Sequence, residues 1–100
     1  MEDYIIFMHD DAKEEVAADS LAAWEKYLGV LRESGRFSGG SAIGQGLCMT
    51  KAGESRQITS HLSGYIRIQA EGMAEVKKLL VGNPVLEGGG TVEIRLLLRE

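Results

Sequence analysis

Four stretches of the chain carry the hydrophobic pattern of strands and two that of amphipathic helices. Residues 4 to 8, Tyr-Ile-Ile-Phe-Met, form an aromatic and β-branched run after two acids, which predicts a largely buried first strand. His9-Asp10-Asp11 then breaks the run with turn-forming acids. Asp19-Ser20 offers caps to a helix whose apolar face is Leu21, Trp24, Tyr27, Leu28 and Leu31. Gly35, which can take the left-handed conformation, closes it. From Phe37 to Met49, Gly39, Gly40, Gly44 and Gly46 surround Ala42, Ile43 and Leu47, predicting a second, irregular strand with a bulge or bend. Residues 51–57 read as a polar, hairpin-like connection. Leu62, Gly64, Ile66 and Ile68 alternate with Ser63, Tyr65, Arg67 and Gln69, the period of a third strand with one apolar face. Met73, Val76, Leu79 and Leu80 trace a second helix that ends near Gly82, because Pro84 disfavours helix at Asn83. After Gly88-Gly89-Gly90, Val92, Ile94, Leu96 and Leu98 alternate with Thr91, Glu93, Arg95 and Leu97 in a fourth strand.

The order β-α-β-β-α-β predicts an α+β, ferredoxin-like domain with an antiparallel sheet and both helices on one face. The apolar rows of the third and fourth strands, with the helix stripes around Trp24 and Leu80, fill that layer. Ser63, Tyr65, Arg67, Gln69, Glu93, Arg95 and Leu97 fall on the other face, which meets water or a partner. One hundred residues support a single domain over 1–100. Fifteen acids against eleven bases, a net charge of -4, give the wrong sign for a protein that neutralises phosphates, so nucleic acid is not an expected partner. No apolar run reaches the roughly 18 residues of a membrane span, and Met-Glu-Asp lacks a basic leader, so no membrane association and a cytoplasmic location are expected. One cysteine and two histidines are a thin inventory for zinc, and neither a metal nor a cofactor is expected.

His9 with Asp10, at the end of the first strand, is the best acid/base candidate, since a carboxylate can orient an imidazole. The competing reading is a polar strand terminus. His61 precedes the third strand on the face of Ser63, Tyr65 and Arg67. Arg67 and Arg95 lie mid-strand on the uncovered face, where guanidinium groups need a carboxylate such as Glu93 or a bound anion. They read either as structural ion pairs or, with Tyr65 and His61, as the lining of a pocket for a small acidic or phenolic compound. Cys48 has no basic neighbour before Lys51 and reads as a buried, inert thiol. The glycine run over 39–46 lacks the Gly-Lys-Ser/Thr ending of a phosphate loop.

Nearly the whole chain resembles the YCII-related proteins, in particular their DGPF-type branch. The resemblance lies in the apolar first strand ending in acids, the helix Ala23-Trp24-Glu25-Lys26-Tyr27, and Leu62-Ser63-Gly64-Tyr65. It also includes Asn83-Pro84, the triple glycine and the final strand through Arg95. The Asp-Gly-Pro-Phe motif is absent, the segment before the third strand reading Glu54-Ser55-Arg56-Gln57-Ile58-Thr59-Ser60-His61. The histidine and aspartate that some relatives use as a dyad have no counterpart in the first helix or at Asn83, so no catalytic residue is carried over. The resemblance implies a homodimer in which two open sheet faces form an α/β barrel around a cavity. The expected function is small-molecule binding there, in a lyase-like or isomerase-like enzyme, with Tyr65, Arg67, Glu93 and Arg95 as ligand contacts. The alternative is a non-catalytic dimeric module for protein interaction or regulation.

Overall fold

The structure, a computed structural model, describes residues 1–55 and 57–99. Strand β1 (Glu2–His9) leads through a short helix α1 (Glu15–Ala18) into α2 (Leu21–Glu33), followed by β2 (Phe37–Ala42) and a small hairpin of β3 (Cys48–Thr50) and β4 (Gly53–Ser55). The second half runs β5 (Leu62–Ala70), α3 (Met73–Leu79), α4 (Pro84–Glu87) and β6 (Val92–Leu97). The main sheet has the order β2-β5-β1-β6 with every pairing antiparallel, the ferredoxin-like arrangement the element order predicts.

Alternation in β1 sends Tyr4, Ile6 and Met8 into the layer beneath the helices, where they meet Ile66 and Ile68 of β5. Ile6, Leu31, Ile68 and Val76 are the largest apolar side chains fully enclosed there. Two aromatic side chains tie the helices down while satisfying their polar ends. Trp24 Nε1 donates to the Ala18 carbonyl at 2.7 Å, and the Tyr27 hydroxyl donates to the Leu79 carbonyl at 2.8 Å. Burial pushes the Tyr27 phenol up to about 12.

Helix α2 starts where expected, the Ser20 hydroxyl accepting from the Ala23 N–H at 3.2 Å, and Gly35 at φ 75 follows its C-terminus. Its stripe is narrower than predicted: Leu21, at the first helical position, stands 73% exposed. Met73, Leu96 and Leu98 are likewise exposed, at the start of α3 and on or beyond the edge strand β6. The expected irregular strand over 37–49 divides in two. Its first part pairs with β5 through a bulge between Phe37 and Gly40, and its end turns away into the β3–β4 hairpin. Of the polar connection at 51–57, Arg56 lies outside the described residues. The hairpin exposes Leu47 and Met49 beside it, and Cys48 is half-buried with its Sγ 3.4 Å from the Gln57 carbonyl rather than sunk in a core.

Pro84 stops α3 as predicted but also begins α4, which the hydrophobic pattern does not announce. Asn83, fully buried, is the cap: its Oδ1 accepts from the N–H groups of Val85 and Leu86 at 3.0 and 3.2 Å. Replacing Asn83 by Ala strands both donors in the interior. The expected cost is about 1–2 kcal/mol, read as a lower urea midpoint at unchanged m-value. An unchanged midpoint would contradict the capping role.

Candidate functional site

The face of the sheet away from the helices carries three transverse rows set by strand register. Ser41, Tyr65, Phe7 and Glu93 form one; Arg67, Ile5 and Arg95 the next; Gln69, Asp3 and Leu97 the third. Of the residues predicted for this face, Tyr65, Arg67, Gln69, Glu93, Arg95 and Leu97 are in these rows, whereas Ser63 falls at the irregularity between β1 and β5, its hydroxyl donating to the Met8 carbonyl at 3.3 Å. The first strand adds what its apolar run concealed: Ile5 and Phe7 point the opposite way from Ile6, and each is only half-buried. Two apolar side chains therefore occupy the middle strand of a face whose flanking strands carry Arg67, Glu93 and Arg95.

At one end of this face the two histidines and Glu93 meet. Three strands bring them there: β1 lies between β5 and β6, the His9 N–H donates to the Thr91 carbonyl at 2.9 Å, and the Asp10 N–H donates to the His61 carbonyl at 2.6 Å. His9 Nε2 hydrogen-bonds Glu93 Oε1 at 2.9 Å, and the His61 ring stands edge-on to that of His9 with centroids 4.7 Å apart. Arg95 holds the other Glu93 oxygen at 3.2 Å. The hydrogen bonds from His9 and then Arg95 keep the Glu93 carboxyl below the usual range. Alongside, Asp11 accepts from both the hydroxyl and the N–H of Thr91, at 2.6 and 2.8 Å, which fixes the turn leaving β1 against the start of β6. Those bonds, the hydroxyl first, lower the Asp11 carboxyl.

The carboxylate that orients His9 is thus Glu93, and among the described residues the adjacent Asp10 engages this region through its backbone only. Neighbouring residues diverge at the end of a strand, whereas residues opposed across strands converge. Arg95 has Glu93 as its partner, but Arg67 is exposed and forms no ion pair among the described residues. The Asp11–Thr91 brace has no sequence signal beyond its turn residues.

A separate cavity of about 430 Å³ lies on the helix side, between α2, β2 and the first half of β5. Trp24, Leu28, Phe37 and Met8 wall it, and Arg32 stands over the Phe37 ring at 5.5 Å. Gly39, Gly40 and Gly64 contribute only backbone to its sheet side. None of the residues predicted to contact a ligand reaches it except Tyr65, at its border.

No protein-family model and no curated protein matches the sequence. The fold is similar to that of the 5-chloro-2-hydroxyhydroquinone dehydrochlorinase of Burkholderia phenoliruptrix AC1100, solved in complex with 2,5-dihydroxybenzoquinone. The TM-score is 0.64 at 18% sequence identity, over 98% of this chain and 95% of that one. At that identity the likeness establishes the shared fold.

Proposed function

We propose that the chain is a YCII-like protein that binds a small hydroxylated aromatic or acidic compound and transforms it, as a lyase or isomerase, in a cytoplasmic homodimer whose open sheet faces enclose the site. The observation that carries this reading is the convergence of His9, Glu93 and His61 at one end of the open face, with His9 and Glu93 2.9 Å apart. The cluster offers nitrogen and oxygen lone pairs to a ligand hydroxyl. Phe7 and Tyr65, side by side in the adjoining row, offer a ring surface, and Arg67 and Arg95 offer charge for ionised oxygens. The fold-sharing dehydrochlorinase, which holds a dihydroxybenzoquinone, supports that choice of compound.

A second copy is supported by the apolar centre of the face. Ile5 and Phe7 lie on a surface that no helix covers, and the β3–β4 hairpin carries the exposed Met49. Light scattering should give a mass near twice 10.9 kDa at micromolar concentration. In the same samples, 2,5-dihydroxybenzoquinone should raise the melting temperature of the native protein and leave that of His9→Ala unmoved. A monomer, or an equal response from His9→Ala, would overturn the enclosed site. The helix-side cavity is the rival location, favoured by a volume within the range of small-molecule pockets, about 300–1,000 Å³. Trp24, the single tryptophan of the chain, lines that cavity, so ligand quenching of its fluorescence that survives in His9→Ala would place the compound there instead.

A further inference from the structure

We infer that His9, His61 and Glu93 form a binding site for a divalent first-row transition ion such as zinc. Each contributes one ligand atom, and these atoms all lie within 4.8 Å of one another. A tetrahedral ion with bonds of about 2.0–2.2 Å to nitrogen and oxygen holds its ligand atoms about 3.3–3.5 Å apart. His9 Nε2 and Glu93 Oε1, at 2.9 Å, are already closer than that and need only open slightly. His61 is exposed, so its ring can swing inward without disturbing the core.

The backbone around the three groups is locked, which keeps the ordering entropy of binding small. The Thr91 carbonyl holds the His9 N–H, the His61 carbonyl holds the Asp10 N–H, and Phe7 pairs with Glu93 across β1 and β6. Glu93 is held from its far side: Arg95 takes Oε2, which leaves Oε1 aimed at the imidazoles. Two imidazoles and one carboxylate are a donor set suited to zinc, iron, cobalt or nickel, and three protein ligands leave a coordination position for water or an exogenous oxygen. The side chains of His9 and Glu93 are 19% and 35% exposed, so that position opens onto the uncovered sheet face.

Two histidines 52 residues apart and a glutamate 32 residues further on have no recognisable ligand spacing, which is why the sequence alone argues against a metal. Only the order β5-β1-β6 assembles them. The binding of the ion stands on this geometry; its use, polarising an oxygen of the bound compound, rests on the small-molecule reading above.

The test is titration of metal-free protein with Co2+ and with Zn2+. One equivalent of Co2+ should develop the visible absorption of a nitrogen- and oxygen-ligated ion, and Zn2+ should displace it and raise the melting temperature. His61→Ala, at an exposed position, and Glu93→Gln should each weaken Zn2+ binding by about 100-fold or more, beyond the range for loss of a supporting group. Cys48→Ser should bind as the native chain does. Absence of the cobalt spectrum, equal affinity in the His61 and Glu93 variants, or loss of binding in Cys48→Ser would each overturn the site. Measuring the 2,5-dihydroxybenzoquinone response with and without Zn2+ separates the two readings. A response in a protein that takes up no metal sinks the ion alone. Metal uptake with no response in either state sinks the small-molecule function alone.

Discussion

Gly40→Ala should destabilise the fold by about 3 kcal/mol, the upper part of the usual range for overpacking, while Gly44→Ala four residues on should be neutral. A Cβ on Gly40 would lie 2.5 Å from the Tyr65 carbonyl oxygen and 3.0 Å from the Ile66 Cα. Both neighbours are backbone of the strand that β2 pairs with, so no side chain can rotate aside. Relief requires β2 to move off β5, which breaks the Gly40–Ile66 and Ser41–Tyr65 register and removes Phe37 from the core edge. At Gly44 a Cβ meets nothing within 4 Å and φ is not in the left-handed region, so alanine costs no strain. For a domain of this length, the difference corresponds to a fall in melting temperature of about 12–24 °C for one variant and none for the other. Equal melting temperatures would mean that β2 does not approach β5 this closely.

The glycine pair is a fair measure of what the chain discloses before it is folded. The run over 37–49 announces a bend, but where pairing ends depends on the partner strand: β5 begins at Leu62, and the last β2 pair is Ala42 with Gly64. Alternation places Tyr65, Arg67, Glu93 and Arg95 on one face because each strand decides that for itself. The partnership of His9 with Glu93 is of another kind. It requires that β1 lie between β5 and β6, a property of the ferredoxin-like topology and of no single segment. Adjacency in sequence favours Asp10, whereas register favours a residue 84 positions away. The short helix after Asn83 is hidden for a local reason. Proline both terminates one helix and suits the first position of the next, and only the buried Asn83 side chain accepting two N–H groups shows which role prevails.

Changing Arg67 and Arg95 together to Met should abolish the stabilisation conferred by 2,5-dihydroxybenzoquinone while leaving the dimer intact. The two arginines flank Ile5 in one row, on strands either side of β1, so their Cα atoms are about 10 Å apart by strand spacing. Two guanidinium groups that far apart can grip one small ring from opposite sides. Arg95 already has Glu93, but Arg67 has no ion-pair partner among the described residues. An anionic ligand supplies Arg67 with a counter-charge, so charge rather than packing is what the substitution removes. Methionine retains much of the aliphatic stem, which preserves contact with Ile5 and with an apposed sheet. At 100 times its Kd a ligand stabilises the native state by about 2.7 kcal/mol, and a 100-fold loss of affinity at the same concentration reduces that to about 0.4. Light scattering on the variant decides what a lost response means. A dimer that no longer responds places the compound between the two arginines. A monomer makes them interface ion pairs, and a dimer with its full response moves the ligand away from this row, towards the helix-side cavity beneath Trp24.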